Sequence, residues 1–394
     1  MAGVTGASTG TRSGAGTGSS ADTQVARRRG AHKANPGDAR RVNRGLLLAA
    51  LHREGQLSRA ELARLSGLTP ASVSNVMREL LDEGIVAELG QVAGAIGKPA
   101  TLVGIDPGGR DLLCVDLSDR DELRAAVVDL SGAVRARRSR PRNGATGEAA
   151  VALTAELVEE IAGVSDRTVL GLGVGTPGLV DDDGVVRNAA HLGWEETALA
   201  ERLASATNVA IHVENDANAA AAGELAFGDG DHRDLLFVRV NEGLGAGLVL
   251  DGEPHRGPGF AAGEIGHVVI DPDGRPCPCG RTGCLETIIS APALAESIAG
   301  LGPDEARATL ADAAGRLGAA LALVTSALDV GDVVVSGPES LLDDHFCEAA
   351  QDAVRARVLP SLAEHVHIRR GAHGDDAVLI GAAAIVAARE LGIR

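Results

Sequence analysis

The densest chemistry in the sequence lies in one short run. Cys277-Pro278-Cys279-Gly280-Arg281-Thr282-Gly283-Cys284 holds three of the chain's five cysteines, and His267 stands ten positions before the first of them. Three thiolates and one imidazole make a closed tetrahedral set of the kind that holds structural zinc, with no open position for a reacting water. Gly280 and Gly283 permit the tight reversal that brings Cys277, Cys279 and Cys284 around one ion. A disulfide is the alternative, and it suits poorly the reducing compartment expected for this chain. Cys114 and Cys347, isolated from the run and from each other, read as ordinary core or surface residues.

Polar groups that a core would not tolerate unpaired surround this run. Glu264 and His267 lie in Gly263-Glu264-Ile265-Gly266-His267, and Glu286 follows Cys284 by two positions. Asn215 and Asp216 follow an apolar strand, at the place where open α/β sheets set their ligand groups. Carboxylates accept and amides donate, so this set suits a polyhydroxylated ligand. The alternative is that Asp216-Ala217-Asn218 merely caps the helix after it.

These residues need a scaffold, and its pattern is strands alternating with alanine-rich helices from about Asp111 onward, an α/β signature. Strands are expected at Leu112–Leu117, Glu122–Leu130, Val169–Val174, Val209–Val213, Leu235–Val240, Ala246–Leu250 and Asp332–Ser336. Helices are expected at Ala149–Ile161, after Asn218, at Glu305–Leu328 and from Ile380.

The N-terminal part differs. Residues 1–38 are mostly Gly, Ser, Thr and Ala without hydrophobic period and are expected to be a disordered extension. Val42, Leu46, Ala49 and Ala50 then fall on one helical stripe. Ser58-Arg59-Ala60-Glu61 is a capping box opening a second helix. Thr69-Pro70 supplies an N-cap and a first-turn proline for a third. In that third helix Val73, Val76, Met77, Leu80 and Leu81 share a buried stripe, while Ser72, Ser74, Asn75 and Arg78 form a polar outer face. Ile85–Glu88 and Thr101–Gly104 read as strands flanking the glycine-rich Gly90–Gly97, with Lys98 after it. Together these describe a winged helix-turn-helix over residues 39–106. Its expected DNA contacts are Arg59, Thr69, Ser72, Ser74, Asn75, Arg78 and Lys98, and its expected partner is double-stranded operator DNA.

Charge supports that division. The whole chain carries −17, but residues 1–104 hold 13 Lys+Arg against 8 Asp+Glu, leaving the remainder at −22. Only the head, with Arg27, Arg28, Arg29, Lys33, Arg40, Arg41 and Arg44, is suited to a polyanion. Four Phe, one Trp and no Tyr leave too few aromatic faces for single-strand or RNA stacking platforms. No run of about 18 apolar residues and no N-terminal apolar h-region is visible. A cytoplasmic location with no membrane partner is therefore expected, on the nucleoid when bound to DNA.

The motifs Val213-Glu214-Asn215-Asp216-Ala217-Asn218-Ala219, Gly263-Glu264-Ile265-Gly266-His267 and Cys277-x-Cys279-Gly280-x-x-Gly283-Cys284-x-Glu286 resemble those of the ROK family of sugar-responsive repressors and sugar kinases. The resemblance covers nearly everything from Arg40 to the C-terminus. It implies a two-lobed, actin-like ATPase (ribonuclease H-like) α/β fold over residues 107–394, behind the winged head. It also implies a sugar or sugar phosphate in the cleft, contacted by Asn215, Asp216, Glu264, His267 and Glu286. Zinc would be held by His267, Cys277, Cys279 and Cys284, in a knot spanning 267–284. His267 is claimed twice, with zinc taking precedence. Asp216 matches the base of the family's kinases, and a homodimer or homotetramer is implied.

Against the kinase pattern stand three departures. Where kinases carry Asp-x-Gly-Gly-Thr, this chain reads Asp116-Leu117-Ser118-Asp119-Arg120-Asp121-Glu122. Asn241-Glu242-Gly243 replaces Gly-Thr-Gly, and Ser336-Gly337-Pro338 replaces a glycine pair. Carboxylates at these points would repel a triphosphate, so neither ATP binding nor catalysis is expected. His191 stands where the family usually has Asn. The implied function is a sugar-responsive transcriptional repressor of carbohydrate genes. An active sugar kinase with a DNA-binding head and a regulator with a protein effector are the alternatives.

Overall fold

The computed structural model describes residues 36–92, 100–228 and 233–393. Most of the expected N-terminal extension lies outside these residues, as do Lys98 and the tip of the glycine-rich hairpin. Residues from Arg41 onward form one compact unit.

The head opens with α1 (Pro36–Glu54), β1 (Leu57–Ser58), α2 (Arg59–Ser66) and α3 (Pro70–Asp82), followed by β2 (Val86–Val92) and β3 (Ala100–Ile105). Ser58 caps α2 in a full capping box, since its side chain accepts from the Glu61 amide while the Glu61 carboxylate accepts from the Ser58 amide. Gly67 closes that helix at φ 70°, a left-handed position glycine takes without strain. Thr69 caps α3, which buries Val73, Val76, Met77 and Leu80. β2 and β3 pair antiparallel and β1 joins β3, giving the sheet that carries the wing.

The expected stripe of α1 is corrected. Val42 and Leu46 are exposed, while Leu47, Leu48, Ala50 and Leu51 are buried. Leu46-Leu47-Leu48 spans more than one helix face, so the pattern alone leaves the phase of the stripe open and packing decides it. Arg44 also faces inward to Glu83, both of its terminal nitrogens donating to that carboxylate at 2.6 Å, which ties α1 to the end of α3.

The body begins with β4 (Asp111–Asp116), β5 (Glu122–Asp129), β6 (Val134–Pro141), α4 (Gly147–Ala162) and β7 (Val169–Thr176). There follow β8 (Leu179–Val180), β9 (Val185–Ala189), β10 (Trp194–Ala198), α5 (Leu199–Leu203), β11 (Ile211–Asn215) and α6 (Asp216–Phe227). Its first sheet runs β11-β7-β4-β5-β6. The second lobe comprises β12 (Leu235–Val240), β13 (Leu244–Leu250), β14 (Glu253–Pro254), α7 (Glu286–Ile289), α8 (Ala291–Ile298) and α9 (Pro303–Leu328). It ends with β15 (Asp332–Ser336), α10 (Asp344–Arg355), α11 (Pro360–Ala363), β16 (His367–Arg370) and α12 (Ala377–Leu391). Its sheet runs β14-β13-β12-β15-β16. β4, β7 and β11 are parallel, as are β12, β15 and β16, with antiparallel strands at the flanks.

The helices form three layers about these two sheets. Leu157, Val158 and Ile161 of α4 pack with Leu113, Val115 and Val127 on one side of the first sheet. α9 and α10 cover the outer side of the second through Leu317, Leu321, Phe346 and Ala350. With 26 residues, α9 is long and apolar enough to cross a membrane by length and composition, although Asp312 and Arg316 interrupt its apolar run. Here it is a core helix, burying Ala313, Ala314, Leu317, Leu321 and Ala322.

Between the sheets lie α6 and α12. They approach so closely that a Cβ on Gly381 would overlap the Ala219 carbonyl, and one on Gly223 would meet Gly381. Gly381→Ala is expected to cost about 1–3 kcal/mol by overpacking this crossing. Urea denaturation measures it, and an unchanged midpoint would contradict the tight crossing.

The head shares its core with the body. Leu47, Leu48, Leu51, Leu80 and Val103 join one apolar cluster with Leu112, Val128, Ile380, Ala383, Val386 and Leu391. His52 of α1 hydrogen-bonds through Nε2 to the Ala226 carbonyl at 2.6 Å and meets the Phe227 ring edge-on, so the last turn of α6 lies directly against the head.

Candidate functional site

A cavity of about 610 Å³ opens between the lobes. It is lined by Asn215, Asp216, Glu264, His267 and Glu286, so all five residues expected around a sugar converge there. Local backbone geometry places each of them.

β11 ends at Asn215, which caps α6: its side-chain oxygen accepts from the Ala217 and Asn218 amides, and its amide nitrogen donates to the Gly178 carbonyl at 2.9 Å. Helix capping is thus this residue's first role, and one amide hydrogen remains for a ligand. Asp216, the next residue, enters the cavity.

Gly263-Glu264-Ile265-Gly266-His267 lies flat along β13. A Cβ on Gly263 would overlap the Ala246 carbonyl, and one on Gly266 the Leu244 carbonyl, so the two glycines permit the close approach that aims Glu264 and His267 inward. Glu286 begins α7, and its Oε2 accepts from the Leu244 amide at 3.1 Å.

The cysteines meet His267 at the cavity's edge. The four ligand atoms lie within 4.8 Å of one another. Cys279 Sγ is 3.6 Å from Cys284 Sγ, and Cys277 Sγ is 3.6 Å from His267 Nδ1. A tetrahedron with zinc–sulfur bonds of about 2.3 Å has edges of about 3.8 Å, so the set fits a metal ion of that size. The double claim on His267 resolves by atom: Nδ1 points into the cysteine cluster, while Nε2 faces Glu264 Oε2 at 3.9 Å. Burial pushes the Cys277 thiol up to about 12 and raises Cys284, whereas a hydrogen bond from the Arg281 backbone lowers Cys279.

Sequence reasoning missed Arg239, a basic residue in the otherwise apolar strand β12. Its Nη1 donates to Asp216 Oδ2 at 2.9 Å and its Nη2 to the Ser118 hydroxyl at 2.8 Å. Ser118 in turn donates to Asp116, which also pairs with Arg124. A second bridge, Arg120 Nε to Glu242 Oε2 at 3.0 Å, links the loop after β4 to the loop after β12, and Arg120 also reaches His191. Burial raises the Asp216 carboxyl, with Arg239 pulling it back down and Asp116 pushing it up. Glu264 is likewise raised by burial, opposed by His267 and reinforced by Asp216 and Glu286. The one charged signal in sequence was Arg239 itself, since nothing local names its partner.

In the head, Ser74, Asn75 and Arg78 share an exposed face of α3, where Arg78 donates to Asn75 Oδ1 at 3.2 Å. Thr69 and Ser72 bond to each other within the N-cap, 2.9 Å apart. Arg59 pairs with Glu88 of β2 at 3.0 Å, which ties it to the wing sheet.

A winged helix-turn-helix fused to a two-lobed, actin-like sugar-kinase body defines the class: a DNA-binding transcriptional regulator on a kinase scaffold. Residues 41–87 match the winged helix-turn-helix DNA-binding family, and residues 112–389 match the ROK family. The chain belongs to the ROK family. It is 28% identical over 382 residues to a putative xylose repressor of Caldicellulosiruptor sp., covering 88% of this chain and 96% of that one. To a glucokinase of Halalkalibacterium halodurans it is 32% identical over 259 residues, 57% of this chain and 78% of the relative. The crystal structure of a ROK family transcriptional regulator, a homologue of the E. coli MLC protein, superposes with a TM-score of 0.77 at 27% identity, covering 90% of this chain and 98% of that one.

Proposed function

We propose that this protein is a repressor of carbohydrate genes whose grip on operator DNA changes when a sugar enters the interlobe cavity. The observation that carries the reading is the convergence of Asn215, Asp216, Glu264, His267 and Glu286 on one cavity in a chain that also bears a winged helix-turn-helix. Carboxylates accept from paired hydroxyls, and the neighbouring Cys3His cluster, as a structural zinc centre, would hold two of those side chains in place. A ligand moves the head only through its differential affinity for two lobe arrangements. The protein acts in the cytoplasm, on the nucleoid when DNA-bound, as a homodimer or homotetramer whose paired recognition helices read major grooves about 34 Å apart.

Phosphotransfer is not part of this reading, although a glucokinase is among the relatives. Arg239 holds the carboxylate of Asp216 that would act as base, and Arg120–Glu242 joins the two loops that would have to cradle phosphate. A coupled ADP-release assay tests this: sugar-dependent turnover lost in Asp216→Asn would replace the regulator reading with a kinase.

The direct test uses operator DNA selected from a random pool by the full-length, zinc-loaded protein, followed by a panel of hexoses, pentoses and amino sugars. A sugar that alters operator affinity supports the reading, and an affinity indifferent to the whole panel overturns it. On the same DNA, Arg78→Ala is expected to weaken binding by about 1–3 kcal/mol at matched salt. Unchanged affinity would remove Arg78 from the contact face.

A further inference from the structure

Resting on the sugar-sensor reading, the charge of the cavity narrows the ligand: we infer that the effector is an uncharged sugar and that its phosphate esters are excluded. Four carboxylates line the cavity, Asp216, Glu242, Glu264 and Glu286, against one arginine, Arg239. That arginine is already engaged, with one terminal nitrogen on Asp216 and the other on Ser118. Arg120, beside the lining residues Glu242 and His191, is held by Glu242. Among the described residues, neither Glu264 nor Glu286 forms an ion pair with an arginine or lysine. Each cation that could meet a phosphate is therefore neutralised by an acid, and two further acids remain.

A phosphate dianion entering this space would have to take Arg239 from Asp216, leaving that carboxylate beside Asp116 without its partner. It would also stand among like charges, where juxtaposition is strongly disfavoured. Hydroxyl groups meet the opposite situation, because the carboxylates of Glu264 and Glu286, with no arginine on them, keep lone pairs that can accept from a donor. Arg239 is the specificity-determining residue in this arrangement: it holds Asp216 as an acceptor for hydroxyls while offering no spare charge to an anion.

The experiment is calorimetric titration of the full-length, zinc-loaded protein at pH 8, where imidazoles are ordinarily neutral. The probes are glucose, xylose and N-acetylglucosamine, paired with glucose 6-phosphate, xylose 5-phosphate and N-acetylglucosamine 6-phosphate. The sugar that binds is expected to do so at least about tenfold more tightly than its ester. That gap is expected to narrow from about 50 mM to about 500 mM salt, as screening weakens the repulsion. Glu242→Gln, which removes one acid and frees Arg120, should narrow it further without loss of the free sugar. An ester binding as tightly as its sugar, or a gap indifferent to both salt and Glu242→Gln, overturns the inference while leaving the sensor reading intact. If neither member of any pair binds, the sensor reading itself fails, and the inference falls with it.

Discussion

Cys284→Ser is expected to empty the metal centre and to remove the sugar response along with it. Cys284 is fully buried, and its sulfur sits between Cys279 and the His267 backbone. From Pro272 to Pro276 the loop buries no apolar side chain, so backbone turns and the cysteine cluster carry its order. Metal binding in such segments is also folding free energy, of order about 10 kcal/mol in small zinc peptides. Here part of that energy would fix Glu264 and Glu286, which flank the cluster. Elemental analysis should find stoichiometric zinc in the wild type and none in the variant, with a lowered thermal midpoint. The head, whose shared core with the first sheet and α12 includes none of the cysteine cluster, should still bind DNA. Metal retained by the variant, or a full sugar response without metal, would contradict this.

Acid should act in the same direction. A thiol must lose its proton to bind metal, and burial holds Cys277 at about 12 and raises Cys284. Metal affinity therefore falls as pH falls, because protons compete for those sulfurs. A chromogenic chelator following zinc release from pH 8 downward reads this directly.

The second large effect is expected at Glu286. Its Oε2 holds the Leu244 amide at the mouth of the cavity, and Gly243 leaves room for it, since a Cβ there would crowd the same oxygen at 2.5 Å. Glu286→Ala removes a charged acceptor and the anchor of the β12–β13 loop together. Hydrogen bonds to charged groups contribute about 1.5–3 kcal/mol each, so sugar affinity should fall by about tenfold or more. Operator binding without sugar should remain. Calorimetry and operator binding measured on the same preparation separate these outcomes, and a sugar response of wild-type strength would exclude Glu286 from the site.

How far the sequence could be read depended on whether the signal was local. The caps at Ser58 and Thr69, the buried stripe of α3 and the glycines around Glu264 and His267 state their geometry within a few residues, and the fold follows them. The ligand set of the cysteine cluster is equally compact. Long-range partnerships were not legible. Arg239 meets Asp216 and Ser118 only because two lobes come together, and Arg120 meets Glu242 for the same reason. β6 was hidden by arginine at positions 135, 137, 138 and 140, whose long side chains spread to acids on α4 and beyond while its backbone pairs with β5. Asn215 shows a subtler limit, since an amide that suits a ligand also suits a helix cap, and sequence alone does not separate the two.

Helix α6 begins with Asp216 in the cavity and ends with Ala226 and Phe227 under His52. Its 12 residues make a rod about 18 Å long. A rod has no slack: tilting one end by about ten degrees swings the other by about 3 Å, a displacement comparable to a hydrogen-bond length. Whatever grips Asp216 therefore takes hold of a helix whose last turn touches α1 of the head.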